Sequence, residues 1–164
     1  MLKKDSTIVR LDIFIKRIPW WLFVLLGNCI IFLFNLSFSE TGFAEEQVEA
    51  FVSDIDLLVS SIFLAPLIET FLFQLVPIEI TIAICKECFR KRMPYFAILV
   101  SSFMFAFSHD FNREFIFFAF LTGIILASCY LVFRRQKHYG YGYAITFLLH
   151  LVVNTTSYLF NHYV

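Results

Sequence analysis

Three runs in this chain hold the residue types needed to split an amide bond with water. The first, Ala65-Pro-Leu-Ile-Glu-Thr-Phe-Leu-Phe-Gln74, places the carboxylate of Glu69 inside a long apolar segment. The second, Phe105-Ala-Phe-Ser-His109, and the third, His150-Leu-Val-Val-Asn154, add two imidazoles and a carboxamide. An ionised acid at the centre of a membrane helix costs about 2.5–3.5 kcal/mol on insertion scales, so such a residue faces a protein interior or a water-filled cavity and has partners. Asn154 follows His150 by four residues, which puts both on one helix face.

Two mechanisms use this set. In one, Glu69 is a general base that takes a proton from water, aided by His109. His150 and Asn154 then donate hydrogen bonds to the oxyanion formed when the peptide carbonyl is attacked. In the other, Glu69, His109 and His150 bind a metal such as zinc that activates the water. The spacing is not HExxH, so no zincin signature supports the metal. The metal-free form is preferred and no cofactor is expected, with zinc as the alternative. Each residue also has a plainer use: a protonated Glu69 bonding a neighbouring helix, His109 as an interfacial residue, and His150 with Asn154 as polar glue between helices.

The elements that must position these groups are membrane helices. Of 164 residues, 60% are hydrophobic and 16% charged, against about a quarter charged in a typical soluble domain. Mean hydropathy is +0.78. That surplus of apolar surface needs lipid, and the 23 phenylalanines suit lipid-facing helices. The expected fold is all-α: a polytopic bundle of about five spans, integral to the membrane and most simply a bacterial inner (plasma) membrane.

Residues 1–19 read as a basic interfacial segment, and 20–164 as one transmembrane domain with its active core at about 55–160. The first span is Trp20–Phe38, where Asn28 and Asn35 share a face. The acidic stretch 39–54 leads into a second segment, 55–85. At about 1.5 Å per residue it would extend about 46 Å, too long for one straight span and too short for two. Pro66 and Pro77 lie inside it, so one kinked or tilted helix is expected. A short third segment runs from Pro94 to His109, and a fourth from Phe115 to Phe133, with Thr122-Gly123 allowing close helix approach. Tyr139-Gly-Tyr-Gly-Tyr143 reads as an interfacial hinge before a fifth span ending at Phe160. Glu79, nearer the inner surface, is left outside the site.

Charge fixes the orientation. The stretches 1–19, 86–94 and 134–138 hold 12 of the 13 Lys and Arg, leaving Arg113. Five spans with the N-terminus inside put all three stretches on the cytoplasmic side. These short clusters thereby have a topological use, and nucleic-acid binding has no support. The four cysteines form no secreted disulfide pattern, and the lone Cys85-Lys-Glu-Cys88 is read as incidental. Counted from the inner ends, Glu69 lies about 24 Å up, His109 about 22 Å, and His150 and Asn154 about 10–17 Å, close to one layer of the membrane.

In this order the three pieces resemble the CPBP family of intramembrane proteases, which includes CAAX-processing and bacteriocin-related, Abi-like members. The family pattern looks like EExxxR, FxxxH and HxxxN on separate membrane helices. Here it reads Glu69-Thr70-xxx-Gln74, Phe105-xxx-His109 and His150-xxx-Asn154. The resemblance implies an intramembrane endopeptidase acting on a membrane-associated peptide or protein, with Glu69, His109, His150 and Asn154 catalytic and Thr70, Gln74 and Phe105 supporting. Thr70 stands where the family has a second Glu, and Gln74 where it has Arg. Those departures keep a second class open: a catalytically silent membrane binding or immunity protein of the same fold. A proton-coupled transporter would use the same Glu and His, but no inverted repeat is evident.

Overall fold

The computed structural model describes residues 17–38, 59–85, 93–109 and 112–163. Among the described residues there are five helices and no strand: α1 (Trp20–Phe38), α2 (residues 60–85), α3 (Met93–Phe107), α4 (Arg113–Gln136) and α5 (Tyr139–Tyr163). Residues 1–16, the acidic stretch 39–54, the basic residues 86–92 and Cys88 of the CxxC spacing lie outside the described residues. In lipid every backbone N–H and C=O must be paired within the protein, which is why apolar segments of this length become helices.

Helices α1, α2, α4 and α5 are each long and apolar enough to cross a membrane. Helix α3 has 15 residues, about 22 Å, and is the short member the sequence leads one to expect. The protein is an integral membrane helical bundle.

Helix α4 runs through the middle. Its buried Phe115, Ala119, Leu126, Cys129 and Phe133 pack with Val24 and Ile31 of α1, Phe105 and Ala106 of α3, and Ile145, Leu149 and Val153 of α5. Between membrane helices such packing, with hydrogen bonds, supplies the attraction that water supplies elsewhere. The Thr122-Gly123 pair does what its size allows: a Cβ on Gly123 would come within 3.0 Å of Ser102 Cα on α3. The asparagine face of α1 meets α5, where Thr156 donates to Asn28 Oδ1 at 3.0 Å and Asn35 Nδ2 donates to Ser157 Oγ at 3.5 Å.

The ends alternate as the charge pattern requires. Gln136, closing α4, donates to Ile18 O just before α1 at 3.0 Å. Glu79 of α2 is paired with Arg134 of α4. The chain on either side of the basic stretches therefore gathers at one end of the bundle. At the other end the rings of Phe32 and Phe160 meet edge to face at 5.3 Å.

Two elements differ in detail from their sequence reading. Tyr139–Tyr143 is not a hinge but the first turn of α5. Its second glycine serves packing: a Cβ on Gly142 would lie 2.8 Å from Tyr130 O and 2.9 Å from Arg134 N. Only glycine lets α5 start this close to the end of α4.

Helix α2 is one span, and it absorbs its prolines in widened turns. Ser60–Leu64 and Thr70–Leu75 are π-helical, so that Ala65 N–H bonds to Ser60 O and Val76 N–H to Phe71 O, each five residues back. Proline has no N–H and its ring crowds the carbonyl four residues earlier. A π turn just ahead of Pro66 and another just ahead of Pro77 make room, and π turns of this kind concentrate at functional sites.

Candidate active site

Glu69 closes the regular turn Ala65–Glu69 that separates the two widened turns of α2. Its Oε2 stands 3.5 Å from His150 Nε2 on α5 and 3.8 Å from His109 Nε2, just past the end of α3. Three parts of the chain expected at similar depth thus meet at one carboxylate oxygen. The side chain of His150 is only 4% exposed, whereas Glu69 and His109 are 25% and 20% exposed. The cluster is therefore open on the Glu69–His109 side and closed behind His150.

The end of α3 orients His109. Its N–H bonds to Ala106 O in a tightened last turn, which leaves Phe105 O without its usual helical donor. His109 Nδ1 lies 2.8 Å from that carbonyl. Ser108 Oγ donates to the same carbonyl at 2.7 Å and lies 3.1 Å from Nδ1. With Ser108's one proton spent on the carbonyl, both neighbours of Nδ1 accept. The network therefore assigns the ring proton to Nδ1 and leaves the Nε2 lone pair facing Glu69.

His150 is arranged the opposite way. Its Nδ1 lies 3.3 Å from the hydroxyl of Thr70, in the interior between α2 and α5. Its Nε2 faces the Glu69 carboxyl. A carboxylate there favours a proton on Nε2, so Thr70 serves as the donor to Nδ1. The aromatic ring of Phe105, 3% exposed, packs 4.5 Å from the His109 ring and 5.6 Å from that of His150, centroid to centroid, and fixes both imidazoles.

The remaining candidates sit around this cluster rather than in it. Asn154 Nδ2 donates to Ser61 O at 3.1 Å. That carbonyl needs a side chain: Ala65 N–H, its usual partner, bonds Ser60 O instead, and the next residue is Pro66. One amide N–H of Asn154 remains for other use. Gln74 is fully buried beside Ser101, whose Oγ lies 2.5 Å from Gln74 Oε1 and 2.6 Å from Phe73 O. Gln74 Nε2 has no hydrogen-bond partner among the described residues. Glu79, as expected, stands apart. Arg134 donates to it through Nε and Nη2, and Tyr130 through its hydroxyl at 2.7 Å.

One carboxylate and two imidazoles are chemically suited to zinc. Among the described residues, however, no three His, Cys, Asp or Glu side chains are placed to hold one metal ion.

Sequence reasoning did not reach Ser101, Ser61, Ser108 or Tyr143, whose hydroxyl donates to Leu67 O at 3.0 Å. The signal for Ser101 was a polar Ser101-Ser102 pair inside an apolar run.

The three motifs also fall within one family model, that of type II CAAX prenyl endopeptidase Rce1-like proteins, which matches residues 51–156. The chain belongs to this Rce1-like endopeptidase family. The matched region runs from ahead of α2 to Thr156 in α5 and leaves α1 outside. The wider CAAX-protease resemblance seen in the motifs agrees with it. The family is one of membrane proteases, so hydrolysis of a peptide bond at the membrane is the activity it carries. No curated protein and no solved structure matches the chain.

Proposed function

We propose that the protein is an intramembrane endopeptidase that hydrolyses a peptide bond in a membrane-associated peptide or protein, using Glu69 without a metal. The observation that carries this reading is the pairing of unlike imidazoles on one carboxyl. His109 offers Glu69 a lone pair on Nε2, and the network around His150 offers a proton on Nε2.

Separations of 3.5 and 3.8 Å exceed direct N–H···O bonds and leave room for a small group shared between the side chains. A water held by Glu69 and His109 gives its proton to the Glu69 carboxylate as its oxygen attacks the substrate carbonyl carbon. The carbonyl oxygen gains the electron pair and is met by His150 Nε2–H and by the spare N–H of Asn154. When the tetrahedral intermediate collapses, the C–N bond breaks and Glu69 returns the proton to the leaving amine. Thr70 and Gln74, which stand where the EExxxR pattern would have Glu and Arg, brace this arrangement from behind: Thr70 through His150 and Gln74 through Ser101.

The partners of such an enzyme are the lipid bilayer and a lipid-embedded or lipid-anchored substrate, in a plasma membrane with the basic loops inside. Purified protein in liposomes, given membrane-anchored peptides with and without a prenyl group, should release fragments whose masses identify one scissile bond. Folded protein that cleaves neither class would instead be a silent binding or immunity protein of this fold.

A further inference from the structure

We infer that Ser101 is a positioning residue for Glu69, acting through the second widened turn of α2; this rests on the assignment of Glu69 as the water-activating group. Phe73 O lies four residues ahead of Pro77, so its ordinary helical donor does not exist. Ser101, fully buried on α3, has one hydroxyl proton and lies 2.6 Å from Phe73 O and 2.5 Å from the Gln74 amide. With that amide turned so that its otherwise unpartnered Nε2 donates to Ser101 Oγ, the hydroxyl proton goes to Phe73 O. The first widened turn is treated in the same way, since Asn154 on α5 donates to the Ser61 carbonyl stranded ahead of Pro66. Each proline of α2 thus strands a carbonyl that a side chain from another helix satisfies, and Glu69 sits on the regular turn between the two.

The widened turn controls where Glu69 points. A π turn carries one residue more than an α turn, and one residue rotates everything beyond it by about 100°. Below the second turn, α2 is anchored by Glu79 to Arg134 and Tyr130. Above it, Glu69 must face His109 and His150. Holding Phe73 O fixes the turn in its wide form and hence the phase between these two parts of one helix. Without the hydroxyl the half-buried carbonyl has no donor from α3, and the turn loses the contact that sets its register.

The test separates register from general loosening. In a chain whose four cysteines are replaced, disulfide formation is followed between Glu69→Cys and His150→Cys, and separately between Glu79→Cys and Arg134→Cys. Adding Ser101→Ala should slow the 69–150 crosslink about 10-fold and leave the 79–134 crosslink, below the turn, unchanged. On the natural chain, Ser101→Ala should lower kcat about 10- to 100-fold at constant KM, the scale of a misplaced catalytic group. Ser101→Thr and Ser101→Val have the same shape and differ in the hydroxyl, so any packing penalty is shared; only Thr should keep the fast 69–150 crosslink. Equal slowing of both crosslinks, or Thr and Val behaving alike, overturns the inference. A wild-type chain without peptidase activity that still shows the selective crosslink effect contradicts the function of Glu69, not its positioning.

Discussion

His109 and His150 present unlike nitrogens to the same oxygen of Glu69. His109 approaches with a bare Nε2 at 3.8 Å because Phe105 O and Ser108 Oγ hold its proton on Nδ1. His150 approaches at 3.5 Å with Nε2 toward the carboxylate, which favours the proton there and leaves Nδ1 to accept from the Thr70 hydroxyl. Behind His109 stands a carbonyl that can only accept, and behind His150 a hydroxyl that can do either, so the two rings meet the carboxyl from different settings.

The two histidines should therefore fail differently. In the proposed mechanism His109 accepts from the attacking water, so His109→Ala should lower kcat about 100-fold or more. In the proposed mechanism His150 donates to the oxyanion, so His150→Ala should cost about 100- to 1000-fold. His150→Gln retains an N–H and should recover part of that loss, whereas His109→Lys, which donates but cannot accept, should recover none. Steady-state cleavage rates of the four variants check this; equal recovery at both positions contradicts the assigned roles.

Thr70 touches the site through His150, 3.3 Å from its Nδ1. Thr70→Val removes the donor to Nδ1 at constant shape, and kcat should fall about 10-fold with KM unchanged, the effect of a mispositioned group. Thr70→Ser keeps the hydroxyl and should stay within about 3-fold of wild type, well inside that range. A loss in Thr70→Ser as large as in Thr70→Val would show that the methyl matters, not the hydrogen bond.

Much of this arrangement was legible in the sequence, for a physical reason. Polar residues are so costly in lipid that Glu69, His109 and His150 stand out, and α1 reads directly as the apolar run Trp20–Phe38. The charge pattern gave one span across Pro66 and Pro77, which α2 is. What stayed hidden depends on backbone hydrogen bonds that no side-chain pattern encodes. Asn154 looked like a plain partner of His150, yet its amide also serves a carbonyl stranded by Pro66. Ser101, one serine in an apolar run, drew no reading of its own. Gly142 looked like a flexible joint because glycine permits both bending and close approach, and only the distance to Tyr130 O distinguishes the two.

That distance makes a stability prediction. Gly142→Ala puts a methyl 2.8 Å from Tyr130 O, which is backbone, and should destabilise the bundle by about 1–3 kcal/mol. Gly140→Ala meets only the His138 side chain at 3.3 Å and should change stability by less than about 0.5 kcal/mol. Reversible unfolding in mixed micelles compares the two; equal losses would mean that α5 does not press on α4 at Gly142.

The ion pair away from the site should be structural alone. Glu79 and Arg134 are both about a third exposed, so solvent moderates their attraction. In a double-mutant cycle, Glu79→Gln and Arg134→Gln should couple by about 1 kcal/mol in unfolding, the lower part of the range for contacting charges. Additive losses would show that the pair contributes nothing beyond its separate side chains.

The central claim is that Glu69 activates water without a metal. The most direct measurement is the single-turnover cleavage rate of one membrane-anchored peptide in liposomes, for wild type and Glu69→Gln, each with and without a strong chelator. The wild-type rate should be unchanged by the chelator and the rate of Glu69→Gln at least about 1000-fold lower, within the range for loss of a general base. A wild-type rate that vanishes on chelation and returns with zinc, or a Glu69→Gln variant that cleaves at the wild-type rate, would contradict it.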